Sequence, residues 1–303
     1  MDEQTGNNYT SAEYAKVLAA ADAKIGKTTF LVASLLGALP WQRFGGVVDR
    51  PRHLHVLTFD ANALGGIKRF ITNSCGKDTS YCDFRVYNHQ DEWKRVSHSK
   101  EDWNYDLYNA VVNTLSTVSA RAVKEGGVHA LLFSSLTGLS EGMLRALAGP
   151  PSEERKGAGM DPAKWSEFAR QLIDVRNYGQ VDTHHCIWEA HIDRGSQFSM
   201  KKNDEADAGP RESLHVPGSA GRSWSFNVEQ VFRIRRDFGD TFEKTNVDMT
   251  YLDTRPSADF ISGGRGFTEA LKAREPDLTL AFHKLGLKIG RFGAAKAKKV
   301  VSK

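Results

Sequence analysis

The residues from Ala21 to Thr29 have the types and spacing needed to bind phosphate. Gly26, Lys27 and Thr28 match the end of the phosphate-loop motif G-x-x-x-x-G-K-[ST], whereas Ala21 stands where the first glycine is usual. In such a loop, backbone N–H groups at a helix N-terminus point at the phosphate oxygens, and the helix dipole favours negative charge. Lys27 would reach the β- and γ-phosphates and the Thr28 hydroxyl would ligate Mg²⁺. The motif therefore predicts ATP and Mg²⁺ as cofactors, held by Ala21, Asp22, Ala23, Lys24, Ile25, Gly26, Lys27, Thr28 and Thr29.

This chemistry requires a strand before the loop and a helix after it, and the sequence predicts both. Residues 15–21 form a short apolar run, and residues 30–39 form a nearly continuous apolar segment of helical length. The loop between them is thus expected to lie at a helix N-terminus, with Gly26 allowing the backbone to approach a phosphate closely.

Strand-like and helix-like segments alternate along most of the chain. This pattern predicts an α/β three-layer sandwich with a mainly parallel central sheet and an antiparallel C-terminal hairpin. Residues 73–103 have no clear period and are expected to be irregular. The further strands are expected at 53–59, 128–135, 184–191, 227–236 and 246–254, and the further helices at 108–122, at 161–179 with Asp161 as N-cap, and near 278–285.

Composition excludes several classes of protein. The 303 residues, 40% hydrophobic and 26% charged with three cysteines, do not fit a collagen, a disulfide framework or a disordered chain. No apolar stretch approaches the ~20 residues that span a bilayer, and no secretory signal is evident, so we expect a cytoplasmic protein with no membrane partner. We expect one core domain over residues 1–290 and a basic tail over 291–303. The net charge of +4 is small, but basic residues cluster in that tail and at 233–237.

Four segments, in this order, resemble one family. They are AKIGKTT (23–29), LLFSSLTGL (131–139), IWEAHID (187–193) and SADFISGGRGFTEALKAREPDL (257–278). Together they resemble the RecA-like P-loop ATPases of phages, particularly the group that acts with single-strand annealing recombinases, over residues 12–288. The resemblance implies a RecA-like core and a single-stranded-DNA-dependent ATPase of phage recombination or replication. It also implies a homo-oligomer, ring or filament, and a single-strand annealing or single-strand binding protein as partner.

The chain departs from this family at positions that carry chemistry. Ser134 stands where the family has the Asp that holds the Mg²⁺ hydration shell, and Asn62 stands where it often has a catalytic Glu. Asn can orient a water molecule but cannot accept its proton. Two explanations are open. Asp60 or Glu189 could orient the metal or the attacking water in place of the missing residues, or hydrolysis could be slow or absent, with ATP serving binding and assembly. We favour slow or impaired hydrolysis. Thr28, Ser134 and Asp60 are the expected metal-side residues.

The resemblance also implies roles for two residues later in the chain. His191 matches the family residue that senses the γ-phosphate or bound DNA, although a strand-end histidine bonded to backbone is the alternative. Arg265 matches a basic residue that projects towards a neighbour's nucleotide, and the alternative is a surface turn arginine. The expected catalytic set is Lys27, Asn62, Glu189, His191 and Arg265.

The segment 194–222 corresponds to the region where RecA-like proteins hold single strands. It is rich in glycine and charge and has no apolar period, and its acids keep its net charge small. Basic side chains and an aromatic ring would supply both charge and a stacking surface, although a lid is the alternative. The expected DNA contacts are Arg194, Lys201, Lys202, Arg211, Arg222 and Trp224.

Two other functions remain open from the sequence. A hexameric helicase-like DNA translocase would share the motor core. A nucleotide-binding pseudoenzyme that serves assembly or partner recruitment would explain the altered positions Ala21, Asn62 and Ser134.

Overall fold

The computed structural model describes nine strands and five helices. The described residues are 13–22, 25–36, 51–59, 65, 67, 83–90, 107–148, 160–194, 212–217, 224–225, 227–237, 249–253, 263–264, 278–284 and 287. The strands are β1 (Lys16–Ala21), β2 (His53–Thr58), β3 (Asp83–Asn88), β4 (His129–Ser134), β5 (His185–Arg194), β6 (Glu212–Leu214), β7 (Gln230–Asp237), β8 (Met249–Asp253) and β9 (Gly263–Gly264). The helices are α1 (Lys27–Leu36), α2 (Leu107–Glu125), α3 (Leu136–Ala148), α4 (Pro162–Gly179) and α5 (Leu278–Lys284).

The central sheet has the strand order β3-β2-β4-β5-β1-β7-β8. The first six of these strands are parallel, and β8 pairs antiparallel with β7. Two short strands lie off this path, where β6 pairs with the far end of β5 and β9 pairs with β7. The predicted α/β fold with a mainly parallel sheet is confirmed.

The central strands are apolar on both sides because helices cover both faces of the sheet. In β1, Val17, Ala19 and Ala21 belong to the cluster that includes α1 and α5. Leu18 and Ala20 belong to the opposite cluster, packed against α2, α3 and α4. This alternation produces the three layers and places α1 directly over the small side chains at the end of β1.

Local signals in the sequence explain where two of the helices begin and end. Asp161 is the N-cap of α4, and its side chain accepts a hydrogen bond of 2.8 Å from the backbone N–H of Lys164. Helix α2 stops where Gly126 and Gly127 adopt φ values of 66° and 81°, a left-handed backbone that glycine adopts without strain.

Two elements differ from the prediction. β3 lies within the stretch expected to be irregular, because a strand at the edge of the sheet is half exposed and has a mixed sequence, DFRVYN. Helix α3 was not predicted, since it begins two residues after β4 with little polar sequence to separate them. The predicted helix at 161–179 and the predicted strands at 15–21, 53–59 and 128–135 lie within a residue or two of the observed elements.

None of the described helices is both long enough and apolar enough to pass through a bilayer. The expected tail, 291–303, lies outside the described residues.

Candidate phosphate and metal site

Gly26 and the first turn of α1 have features of an anion site. Gly26 has φ +78°, and a Cβ built there meets no atom within 4 Å, so the backbone conformation, not crowding, favours glycine. The backbone N–H of Phe30 donates to the carbonyl of Gly26 at 2.9 Å, which closes the first turn of α1. The first N–H groups of a helix lack partners within the helix, and in α1 these belong to Lys27, Thr28 and Thr29, where an anion is favoured.

Strand β5 brings a carboxylate to this turn. Glu189 is in register with Ala19 of β1 on one side and with Ser134 of β4 on the other. Residues two apart on a strand share a face, so Glu189 points to the same side as Ile187, the side covered by α1. The residue Glu189 is only 2% exposed, and its carboxylate lies at the first turn of that helix.

The Thr28 hydroxyl connects these groups. It donates to the Glu189 carboxylate, with distances of 2.9 Å to Oε1 and 2.7 Å to Oε2. It also lies 3.3 Å from the hydroxyl of Ser134. The structure thus brings together three oxygen-bearing side chains from α1, β4 and β5. The peptide bond that follows Ser134 is cis.

Lys27 completes the site. Its Nζ lies 3.5 Å from Oε1 of Glu189, and both side chains are nearly buried, at 6% and 3% exposure. Burial lowers the pKa of Lys27, whereas the charge of Glu189, a hydrogen bond to it and the charge of Asp22 raise it. The Glu189 carboxylate therefore supports the charged ammonium in a position that is costly for an unpaired cation.

The donor atoms fit Mg²⁺. Hard divalent cations prefer carboxylate and hydroxyl oxygens, and Thr28, Ser134 and Glu189 offer only these. Ser134 brings no negative charge, and Glu189 supplies it from the neighbouring strand. Thr28, Ser134 and Glu189 would hold such an ion, which would supply positive charge to offset that of a bound polyphosphate. Of the expected metal-side residues, the structure brings Thr28 and Ser134 together.

His191 lies two residues beyond Glu189 on the same face of β5. Its backbone N–H donates to Oγ1 of Thr137 at 3.0 Å, and its carbonyl accepts from the N–H of His215 at 2.8 Å. Burial, then the charges of Lys27 and His215, lower the pKa of His191 to about 4. Its imidazole is therefore neutral at pH 7 and lies within the electrostatic reach of Lys27.

Sequence reasoning missed Thr137, whose hydroxyl fixes the backbone of β5 just after Glu189. The residue is buried in the first turn of α3 and holds the end of β5 against that helix. A signal was present, because a threonine three residues after a strand end lies at the carboxyl edge of the sheet, where sites form in such folds.

The position of Trp224 corrects one expectation. Its ring is 1% exposed and packs edge-on against Trp188, with centroids 5.0 Å apart and an interplanar angle of 81°. A buried ring offers no face to a base, so a stacking role for Trp224 is wrong for this conformation. The physical reason is that the strand β5 presents Trp188 to the face covered by α3 and α4, where a second large ring fills the core.

The other expected residues fall into two groups. Arg194 ends β5, and only its backbone is described. The remaining expected site residues lie outside the described part of the chain: Ala23, Lys24, Asp60, Asn62, Lys201, Lys202, Arg211, Arg222 and Arg265.

No family model and no curated protein matches this chain. Among solved structures, it is similar to an ATPase from the type III secretion system of pathogenic bacteria, with 11% sequence identity and a TM-score of 0.42. The likeness covers 73% of this chain and 51% of that ATPase, so the chain spans about half of its length. This likeness is too low to support a family or an activity, so the function proposed below depends on the geometry of the site.

Proposed function

We propose that this chain is a P-loop ATPase that binds Mg²⁺ and ATP through the turn from β1 to α1. The observation that carries the proposal is the set of contacts that Glu189 makes with Thr28 and Lys27 at that turn. Four features meet at that turn: a glycine with positive φ, a helix N-terminus, a buried ammonium, and a buried carboxylate beside a threonine hydroxyl. This combination suits a metal-bound polyphosphate better than a lone anion, because a lone anion would face the Glu189 carboxylate.

We propose that hydrolysis is slow. Glu189 is engaged by the Thr28 hydroxyl and by Lys27, which suits a carboxylate on the metal side of the site. A group that activates water must be free to accept its proton, and the Glu189 carboxylate is already in contact with two donors. His191 lies two residues beyond Glu189 on the same face of β5 and has a neutral imidazole, so it would be the residue that orients water.

We further propose that the ATPase acts on single-stranded DNA during phage recombination or replication, as an oligomer. Supporting this are the lysine and arginine side chains of residues 194–222, which are nearly balanced by acids but could still contact phosphates. The segment begins five positions beyond Glu189 on β5, about 17 Å along an extended strand. β5 continues past the sheet core and pairs with β6, so a ligand on that segment would be coupled to the end of β5 that carries Glu189 and His191.

A second candidate is a nucleotide-binding protein that does not turn over ATP and serves assembly. This candidate is favoured because Ser134 on β4 carries no charge and because the Glu189 carboxylate already contacts Thr28 and Lys27. It shares the binding site with the first candidate and differs only in the chemical step.

One experiment separates the candidates. ATP binding by calorimetry and phosphate release, with and without single-stranded DNA, would be measured for the native chain, Lys27→Ala and Lys124→Ala, which removes an exposed lysine of α2. The proposal expects binding and slow, DNA-stimulated turnover that Lys27→Ala abolishes and Lys124→Ala retains. Binding without any turnover would favour the second candidate, and absence of binding in Mg²⁺ would contradict both.

A further inference from the structure

We propose that Glu189 makes this site selective for Mg²⁺-bound over free nucleotide, by holding Lys27 and Thr28 whenever the metal is absent. The inference deepens the proposed function and depends on it. Glu189 would thus discriminate between the Mg²⁺-bound and the free form of the same nucleotide.

The Glu189 carboxylate contacts both of the motif's polar side chains. The Glu189 carboxylate accepts a hydrogen bond of 2.7 Å from the Thr28 hydroxyl, and its Oε1 lies 3.5 Å from Nζ of Lys27. These are the two side chains that the motif assigns to the metal and to the phosphates. Both must therefore exchange Glu189 for a new partner when a nucleotide enters.

The charges decide which nucleotide can make this exchange. Free ATP would bring an unneutralised polyphosphate next to a carboxylate that is 2% exposed and little screened by solvent. A like charge within 4–6 Å disfavours a neighbouring charge by about 10- to 1000-fold in equilibrium terms. With a divalent cation between the phosphates and Glu189, the carboxylate would attract the cation instead of repelling the phosphates. Lys27 would then be free to bind the phosphates.

The strand order explains why this acid reaches the lysine. β5 lies directly beside β1, which leads into the loop, whereas β4 is separated from β1 by β5. An acid on β5 is thus one strand closer to Lys27 than an acid at Ser134 on β4 would be. Moving the negative charge from β4 to β5 places it against both Thr28 and Lys27.

The test is the ratio of dissociation constants without and with Mg²⁺. A fluorescent ATP analogue would be titrated in EDTA and in excess Mg²⁺ into the native chain, Glu189→Gln and the control Glu167→Gln, which alters a partly exposed carboxylate on α4 that pairs with Arg170. Gln keeps the size of the side chain and one hydrogen-bond acceptor, and the thermal unfolding midpoint would verify that each variant is folded.

The expected result is a ratio of about 100 or more for the native chain and for Glu167→Gln. Glu189→Gln should lower it at least about tenfold, in large part through tighter binding in EDTA. An unchanged ratio in Glu189→Gln, or a native chain that binds equally in EDTA and in Mg²⁺, would overturn the inference while leaving nucleotide binding intact. No binding by the native chain in Mg²⁺ would overturn the proposed function, and the inference with it.

Discussion

The Thr28 hydroxyl donates to the Glu189 carboxylate at 2.7 Å, across the turn that joins the first strand to the first helix. The two residues are 161 positions apart in the sequence and meet because β5 is the strand next to β1. The buried carboxylate at this turn therefore comes from β5, while the β4 position in register with it is the uncharged Ser134.

Replacing Thr28 by Val should weaken the binding of Mg²⁺-bound nucleotide by about 10- to 100-fold, because it removes a hydroxyl ligand and its bond to Glu189. The shape of the side chain is kept, but the buried Glu189 carboxylate loses a donor, so the free energy of unfolding should also fall by about 1–3 kcal/mol. Calorimetric titration with MgADP measures the effect. The control is Thr117→Val, which removes an exposed hydroxyl bonded to the Asn113 carbonyl on α2. Equal affinities for the two variants would show that the Thr28 hydroxyl does not contact the metal.

Placing an acid on β4 should restore part of the metal binding that Glu189→Gln is expected to lose. Ser134 and Glu189 are in register, and the Ser134 hydroxyl is already 3.3 Å from that of Thr28. A carboxylate from Ser134→Asp would therefore reach the same metal position. Mn²⁺ affinity in the presence of ADP, measured by electron paramagnetic resonance, should be lower in Glu189→Gln and recover in the double variant. A double variant no better than Glu189→Gln would mean that residue 134 does not face the metal.

Gly179 is predicted to tolerate no side chain. A Cβ there would lie 2.5 Å from Cζ2 of Trp188, the residue that precedes Glu189. Gly179→Ala should thus lower the free energy of unfolding by about 1–3 kcal/mol, because a buried indole must shift. Urea unfolding measures this. In the control, Gly138→Ala in α3, the nearest contact would be 3.4 Å, so it should be neutral or stabilising, since alanine favours a helix. Equal effects of the two changes would contradict the packing of α4 on β5.

Acid should destabilise the protein well before its carboxylates titrate. Burial is the main cause that lowers the pKa of both His55 and His184 to about 3 in the folded chain, against 6.5 when unfolded. The unfolded chain therefore takes up protons first, so this contribution to stability is complete above about pH 6.5 and is lost as the pH falls from there towards 3. Each histidine contributes a slope of about 1.4 kcal/mol per pH unit within that window.

The check is urea unfolding at several pH values between 7 and 5, a range in which most carboxylates stay ionised. The free energy of unfolding should fall steadily below about pH 6.5. A value that is constant down to pH 5 would show that these histidines are not buried and neutral in the folded chain.

Much of this site could be predicted from the sequence because its signals are local. The order Gly26-Lys27-Thr28 between an apolar strand and an apolar helix predicts the phosphate loop, and the structure places the loop at the first turn of α1. Glu189 could be proposed as a candidate acid, but not its contact with Thr28, because that contact depends on which strand lies beside β1. Strand order is a long-range property that no local pattern encodes.

Two other expectations depended on information that a sequence pattern lacks. Trp224 was expected to be a stacking surface because it follows a polar, charged stretch, yet the ring packs on Trp188 in the core. β3 was not predicted because an edge strand is half exposed, so its sequence lacks the apolar run that indicates a buried strand. In both cases burial is decided by which elements come together, and not by the composition of the segment itself.

The position of the metal tests the central claim most directly. Crystals grown with Mn²⁺ and a non-hydrolysable ATP analogue would show the ion by its anomalous scattering. We expect one peak within about 2.0–2.3 Å of the Thr28 hydroxyl, with the Glu189 carboxylate bound to the ion directly or through one of its waters, and Lys27 moved onto the phosphates. A nucleotide bound while Lys27 and Thr28 still hold Glu189, or an ion remote from Thr28, would contradict the account.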